Sequence, residues 1–293
     1  MKNLIKLLII SFLTISLHSE EKFESRFGFL SEGTLLSSFK DARVALKVWL
    51  EDVAVSYNGK LHVEFYDNSE DLYNALKNNK LEMVILDLPF FFKNKNDILK
   101  TSANFWSLNL SNVKYPQYYL LAKKSLNAKS FADVKNKTVS LKKGDIGASV
   151  WLDKNSLISN KESSLNATKD IILKKKESTA LLNVFFNKSD FAVVRKETWD
   201  ISSELNPALK KKISVIKKSQ SIHIPFIGIF RKDTKDLTLK SFFKLSNDLN
   251  KIKGSQQIIT LLKFNSLFKI DDNYLKDLDK YYEEYFALKK KYK

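Results

Sequence analysis

Two stretches of this 293-residue chain place hydroxyls and small residues where a strand is expected to run into a helix. Thr34, Ser37 and Ser38 form the first, and Gly144, Ala148 and Ser149 form the second. A helix start presents unpaired backbone N–H groups and a partial positive charge, so an oxyanion seated there is hydrogen-bonded and electrostatically favoured. Ordinary capping uses the same residue types, and the pattern by itself leaves both readings open. Three side chains stand at the expected ends of strands: Tyr66, Asp87 and Arg195. Asp87 and Arg195 either pair across a cleft, or Arg195 clamps an anion while Asp87 accepts from a cationic or hydroxyl group; solvated strand-end charges are the plain alternative. His62 lies within a strand and reads as structural, whereas His223 lies at a chain crossing and joins the candidate ligand contacts. Trp106, Trp151 and Trp199 are placed to line a cleft or, more simply, to pack in the core.

Other chemistries are poorly served. There is no Gly-x-Ser-x-Gly, no dinucleotide or Walker-type glycine loop and no His-Glu-x-x-His, and no carboxylate spacing favours glycoside chemistry. Zero Cys removes disulfides, thiolate zinc sites, cysteine nucleophiles and a lipidated N-terminal Cys. A non-enzymatic chain with no catalytic residues, no metal site and no cofactor is the expectation. Lys and Arg number 50 against 33 Asp and Glu, a formal charge of +17. Only Arg26, Arg43, Arg195 and Arg231 are arginines, so the excess is lysine, and nucleic-acid readers lean on the planar Arg fork. Scattered lysines without an RNP, finger or homeodomain pattern argue against nucleic acid.

The elements that must position these residues follow from patterning. Residues 1–19 have a cationic start, an apolar run from Leu7 to Leu17 and the small Ser19 before Glu20-Glu21-Lys22, the layout of a cleavable signal peptide. Its removal takes Lys2 and Lys6, leaving 17 − 2 = +15, and implies export to the periplasm. Arg26 to Leu30, Leu61 to Tyr66 and Leu81 to Leu86 read as strands, separated by helices opened at Ser38 and at Asn68-Ser69. Strands at 138–141, 170–174, 191–194 and 213–216 alternate with helices in the second half, a grammar typical of parallel sheets covered by helices. Asn79 to Asp87 overlays on Asn187 to Arg195: Asn-Lys, an acid at the fourth position, four apolar residues, then a charge. Two similarly built lobes leave such a trace. Tyr118 to Ala122 and Phe226 to Phe230 follow two crossings between lobes, and the tail from Leu237 onward reads as helical throughout, packed back on the first lobe.

With these residues in view, the chain resembles the periplasmic solute-binding proteins of ABC transporters, in particular the phosphate/phosphite/phosphonate-binding (PhnD-like) group. The resemblance rests on LHVEFYDNSEDLYNALKNNKLEMVILD from Leu61, SLNAKSFADVKNKTVSLKKGDIGASVWL from Ser125, NKSDFAVVRKETW from Asn187 and SIHIPFIGIFRKD from Ser221. It implies an α/β type II fold of two lobes, each a mixed, mostly parallel sheet flanked by helices, with a helical C-terminal tail. The implied division is residues 20–116 plus 224–293 for lobe I and 117–223 for lobe II. By position, Ser149 and the turn before it match the family's helix-start oxyanion site, and Tyr66 matches a cleft position. The turn departs from the family in holding one hydroxyl and in placing Asp145 where an anion would sit; Asn136 stands where the family has Gly. The implied function is to close two lobes on a small ligand, an anion such as phosphate or phosphonate being favoured, and to hand it to a transporter permease. The alternative is a sensor or adaptor of the same fold acting with a membrane histidine kinase. A monomer is expected.

Overall fold

The computed structural model describes residues 22–31, 42–110, 113–252, 254–262 and 264–292. The expected signal peptide and the candidates Thr34, Ser37 and Ser38 lie outside the described residues. The first half holds β1 (Phe23–Leu30), α1 (Ala42–Ser56), β2 (Gly59–Tyr66), α2 (Ser69–Lys77), β3 (Met83–Leu86), α3 (Leu88–Lys93), α4 (Lys95–Thr101) and β4 (Ser102–Leu110). The middle holds β5 (Tyr118–Lys123), β6 (Thr138–Lys142), α5 (Ile146–Asn160), α6 (Ser164–Ala167), β7 (Asp170–Lys174), α7 (Glu177–Phe185), β8 (Phe191–Arg195), α8 (Lys196–Leu205), α9 (Ala208–Lys212) and β9 (Ile213–Lys218). The chain ends with β10 (Ile227–Arg231), α10 (Asp236–Asp248), α11 (Ser255–Leu262), β11 (Phe264–Lys269) and α12 (Asp272–Lys291).

Among the described residues the strands form two sheets, ordered β11-β4-β10-β3-β1-β2 and β7-β6-β8-β5-β9. Each has a parallel trio, β2-β1-β3 and β7-β6-β8, against which β10 and β5 pair antiparallel. Read from β2 and from β7, the orders match strand for strand, with β11 added at the edge of the first sheet. Parallel trios need helical crossovers on their faces, and α1, α2, α5 and α7 supply them.

The repeat seen between Asn79–Asp87 and Asn187–Arg195 is built atom for atom. Asn79 and Asn187 stand at φ 59° and 60°, left-handed positions that Asn tolerates, just beyond α2 and α7. The next amides close the helix ends, Lys80 N to Ala75 O at 2.9 Å and Lys188 N to Asn183 O at 2.7 Å. The acid then turns back to the neighbouring strand: Glu82 Oε2 accepts from Arg26 N at 3.2 Å, and Asp190 Oδ2 from Thr138 N at 3.0 Å. Both carboxylates satisfy an amide of the neighbouring parallel strand, at the fourth residue of β1 and at the first of β6, which explains an acid at the fourth position in both lobes.

Core packing follows the patterning. Leu46, Trp49 and Val53 of α1 cover Phe27, Phe29 and Trp106 on one face of the first sheet. Leu72 and Leu76 of α2, Leu88 and Phe91 of α3 and the aromatic face of α12 cover the other. The tail differs from expectation, because Phe264–Lys269 is a strand that pairs antiparallel with β4. Its backbone pairs with the open side of β4 and becomes the new edge of the sheet, a long-range choice not visible in local periodicity.

Candidate functional site

In open α/β sheets the loops at the carboxyl ends of parallel strands meet the ligand. At the end of β6, Asp145 is the N-cap of α5: its Oδ1 accepts from Ala148 N at 3.0 Å and from Tyr118 Oη at 2.7 Å. A carboxylate of the protein thus already occupies the anion-seeking end of this helix. Gly147 is required here, since a Cβ would lie 2.6 Å from Tyr118 Oη and push the phenol off Asp145. Burial, and then the Asp145 charge, hold the Tyr118 hydroxyl far above its ordinary pKa, so it remains a donor. Gly144 turns the chain at φ 77°. Ala148 is buried, and the exposed Ser149 donates from Oγ to Asp145 O at 3.0 Å.

At the end of β8, Arg195 is drawn inward. Its Nε donates to Glu177 Oε2 at 2.9 Å, its terminal nitrogen lies 2.9 Å from the same oxygen, and its backbone N donates to Glu177 Oε1. Thr198 Oγ1 adds a bond to Glu177 at 2.8 Å. Burial works against the guanidinium charge, but Glu177 and then Asp145 outweigh it and raise the pKa of Arg195. The equivalent position in the first lobe is Asp87, whose backbone has the same φ −70° and ψ 150° and likewise opens a helix. Asp87 accepts from Phe90 N at 2.8 Å and from Ser69 Oγ at 2.5 Å. No ion pair joins Asp87 to Arg195 among the described residues; each charge is satisfied within its own lobe. Ser69 precedes Asp87 by 18 residues and Glu177 precedes Arg195 by 18. Extending the sequence overlay one helix backward was the signal by which Glu177 was findable.

Tyr66 ends β2, packs against the first-lobe core and donates to Glu64 Oε2 at 3.0 Å; burial, and then Glu64, push it up to about 12. His223 is 2 % exposed, wedged edge-on between Tyr118 at 5.0 Å and Tyr281 at 5.3 Å. Burial, and then the Lys154 charge, bring its pKa down to about 3. His62 pairs with Glu24 across β1 and β2 at 3.0 Å. Trp106, Trp151 and Trp199 are all buried in cores.

Unforeseen in the sequence is the span of α12. It packs on α3 through Tyr282 stacked on Phe92 with centroids 4.7 Å apart, and Lys95 pairs with Asp279. It also reaches α5, beyond the first lobe on which the tail was expected to pack: Tyr285 Oη donates to Asp153 Oδ2 at 2.8 Å and Lys154 Nζ to Tyr281 O at 2.9 Å. Tyr274 Oη donates to Ile222 O at 2.5 Å in the second crossing. One helix therefore touches both lobes and the crossing between them.

Among the described residues no cluster of three or more His, Asp or Glu is placed to hold a metal, and no helix is long and apolar enough to cross a membrane. No family model matches the sequence, and no curated protein matches it. Solved structures do match in shape. A Xanthomonas citri protein bound to ATP superposes with TM-score 0.62 at 8 % identity, covering 91 % of this chain and 98 % of the other. PhnD from Prochlorococcus marinus, in complex with methylphosphonate, gives 0.57 at 10 %, covering 89 % and 98 %. The binding protein component of an ABC phosphonate transporter from Pseudomonas aeruginosa gives 0.54 at 14 %, covering 91 % and 88 %. The chain has the two-lobed α/β fold of these proteins.

Proposed function

We propose that this chain is a periplasmic solute-binding protein of an ABC-type transporter, without catalytic activity, that holds a small ligand between the strand ends of its two lobes. The observation that supports this most is the equivalence of Asp87 and Arg195, two oppositely charged residues at the same exit of two matching sheets. Tyr66 and Asp87 from lobe I, and Gly144, Ala148, Ser149 and Arg195 from lobe II, make up the proposed surround, with His223 behind it. Thr34, Ser37 and Ser38 complete the proposed set from outside the described residues.

The ligand follows from Asp145. Its Oδ1 takes the bonds from Tyr118 and Ala148, leaving Oδ2 as the acceptor available to a ligand. An oxyanion that still carries a hydroxyl, as a monoprotonated phosphate or phosphonate does, donates to that oxygen; a sulfate or sulfonate has no proton to give and meets repulsion. Thermal-shift titration of the purified chain with phosphate, methylphosphonate, sulfate and methanesulfonate tests this. Phosphate or methylphosphonate at 100 times its dissociation constant adds about 2.7 kcal/mol, and Ser149→Trp removes the effect. No stabilisation by any of the four ions overturns the reading.

A second reading, a periplasmic adaptor that passes a signal to a membrane histidine kinase, is favoured by the saturation of Arg195 by Glu177 and by the tie that α12 makes between lobes. Ser149→Trp separates the two, since it abolishes solute binding in a receptor and leaves signalling intact in an adaptor.

A further inference from the structure

The carboxyl ends of β6 and β7 carry five lysines: Lys142 and Lys143 lead into the turn before α5, and Lys174, Lys175 and Lys176 lead into α7. Lys142 and Lys174 are register partners on adjacent parallel strands, about 4.8 Å apart, and their side chains leave the same face of the sheet. Lys143, Lys175 and Lys176 are exposed. Other lysines of this lobe have acids, Lys123 with Asp190, Lys135 with Glu162 and Lys196 with Asp200, but none of the five has an ion pair among the described residues. The acids that follow them are engaged: Asp145 caps α5 and accepts from Tyr118, and Glu177 holds Arg195. The five lysines and Arg195 stand against Asp145 and Glu177, an excess of four positive charges on this rim.

Like charges at neighbouring strand positions repel and cost stability. The fold itself does not ask for them. The first lobe builds the same corner, where Ser31 N donates to Tyr66 O at 2.7 Å as Lys143 N donates to Lys174 O at 2.8 Å. In that overlay Leu30, Ser31, Tyr66, Asp67 and Asn68 stand where the second lobe has its five lysines. The matching corner carries no lysine and one acid, so the charge in the second lobe answers to something outside the chain.

We infer that this rim is a binding site for an oligophosphate, a small molecule with two or three linked phosphoryl groups. Lysine meets phosphate as a point charge and needs no fixed fork geometry. A cluster two strands wide matches the dense charge of linked phosphoryl groups better than carboxylates spaced along a peptide. The site rests on the ends of β6 and β7 alone and stands whether or not a solute is seated at Ser149.

Calorimetric titration of the purified chain with phosphate, pyrophosphate and tripolyphosphate tests the inference. Affinity rises about threefold or more with each added phosphoryl group. Replacing Lys142, Lys174 and Lys175 together by Gln relieves the repulsion, leaves Tm no lower than in the wild type, and weakens tripolyphosphate about tenfold or more. Replacing Lys210, Lys211 and Lys217 by Gln removes three exposed, unpaired lysines elsewhere on the lobe and leaves tripolyphosphate binding close to the wild type. ATP binds like tripolyphosphate and AMP like phosphate. Absence of heat with tripolyphosphate overturns the inference, as does equal weakening by the two triple variants, the mark of diffuse attraction to a lysine-rich surface. AMP binding as tightly as ATP places recognition on the nucleoside, and poly-L-glutamate binding as tightly as tripolyphosphate makes the rim a docking face for acidic protein; either result overturns it. Ser149→Trp leaves tripolyphosphate binding intact, and its loss there would place the ligand in the strand-end cleft and also overturn the inference. Methylphosphonate titration by itself reports on that cleft, so failure of one reading is distinguishable from failure of the other.

Discussion

Removing the Glu177 carboxylate strands the Arg195 guanidinium where its side chain is only 15 % exposed. Breaking one side of a buried pair leaves an uncompensated charge, so Glu177→Gln is expected to cost about 3 to 5 kcal/mol in urea unfolding. A loss below about 1 kcal/mol would show that water reaches the guanidinium and that Arg195 is free to meet a ligand. His223 sets a different dependence. Its folded pKa of about 3 lies below the ordinary 6.5, so the unfolded chain binds the extra proton. Its contribution is therefore fully present above pH 6.5 and is lost as pH falls toward 3. Between pH 6.5 and 5 the wild type should lose about 2 kcal/mol more than His223→Gln, by the conversion of pKa shift to free energy. Parallel pH profiles for the two proteins would sink this account. At this scale the strand-end charges were legible because each ends an apolar run. Their partners are less plain: Glu177 is reached only by extending the overlay 18 residues back from Arg195, and nothing local ties Tyr118 to Asp145, 27 residues away.

Caps and helix stops were the elements' most readable feature, because they depend on neighbours within one turn. Asn68 accepts from Asp71 N at 2.8 Å at the start of α2, where the Asn-Ser pair predicted it. The helix after β6 also begins where its turn residues placed it, but the capping residue is Asp145 and its side chain takes the seat expected for an anion. Local periodicity reads the tail as helix from end to end, whereas the short edge strand Phe264–Lys269 is chosen by its partner β4 and not by its own period. In α12, helical periodicity puts Leu275, Leu278, Tyr282 and Tyr285 on one apolar face, and all four are buried. It did not reveal that the face is shared between two lobes. Tyr285→Phe removes the donor to Asp153 Oδ2 in a buried site and is expected to cost about 1 to 3 kcal/mol. Faster amide exchange should spread through the second half of α12 and the facing turns of α5. Unchanged exchange in α5 would mean that the helix does not brace the second lobe.

Across the whole molecule, composition and order determined a great deal: a Cys-free α/β chain, two halves with the same grammar, and a charge excess that is almost wholly lysine. The repeat Asn79–Asp87 against Asn187–Arg195 was visible because each lobe solves the same local problems, a left-handed helix stop, an amide of the neighbouring parallel strand that needs an acceptor, and an apolar strand buried on both faces. Those demands lie within about ten residues of chain, and local sterics and hydrogen bonding answer them in any context. Only the tertiary structure decided that Phe264–Lys269 pairs with β4, that α12 spans from α3 to α5, and that Glu177 takes the Arg195 guanidinium expected to meet an anion. Such outcomes depend on which distant segments meet. Electrostatic pairing and aromatic packing act at contact distance in space, and separation along the chain does not record it.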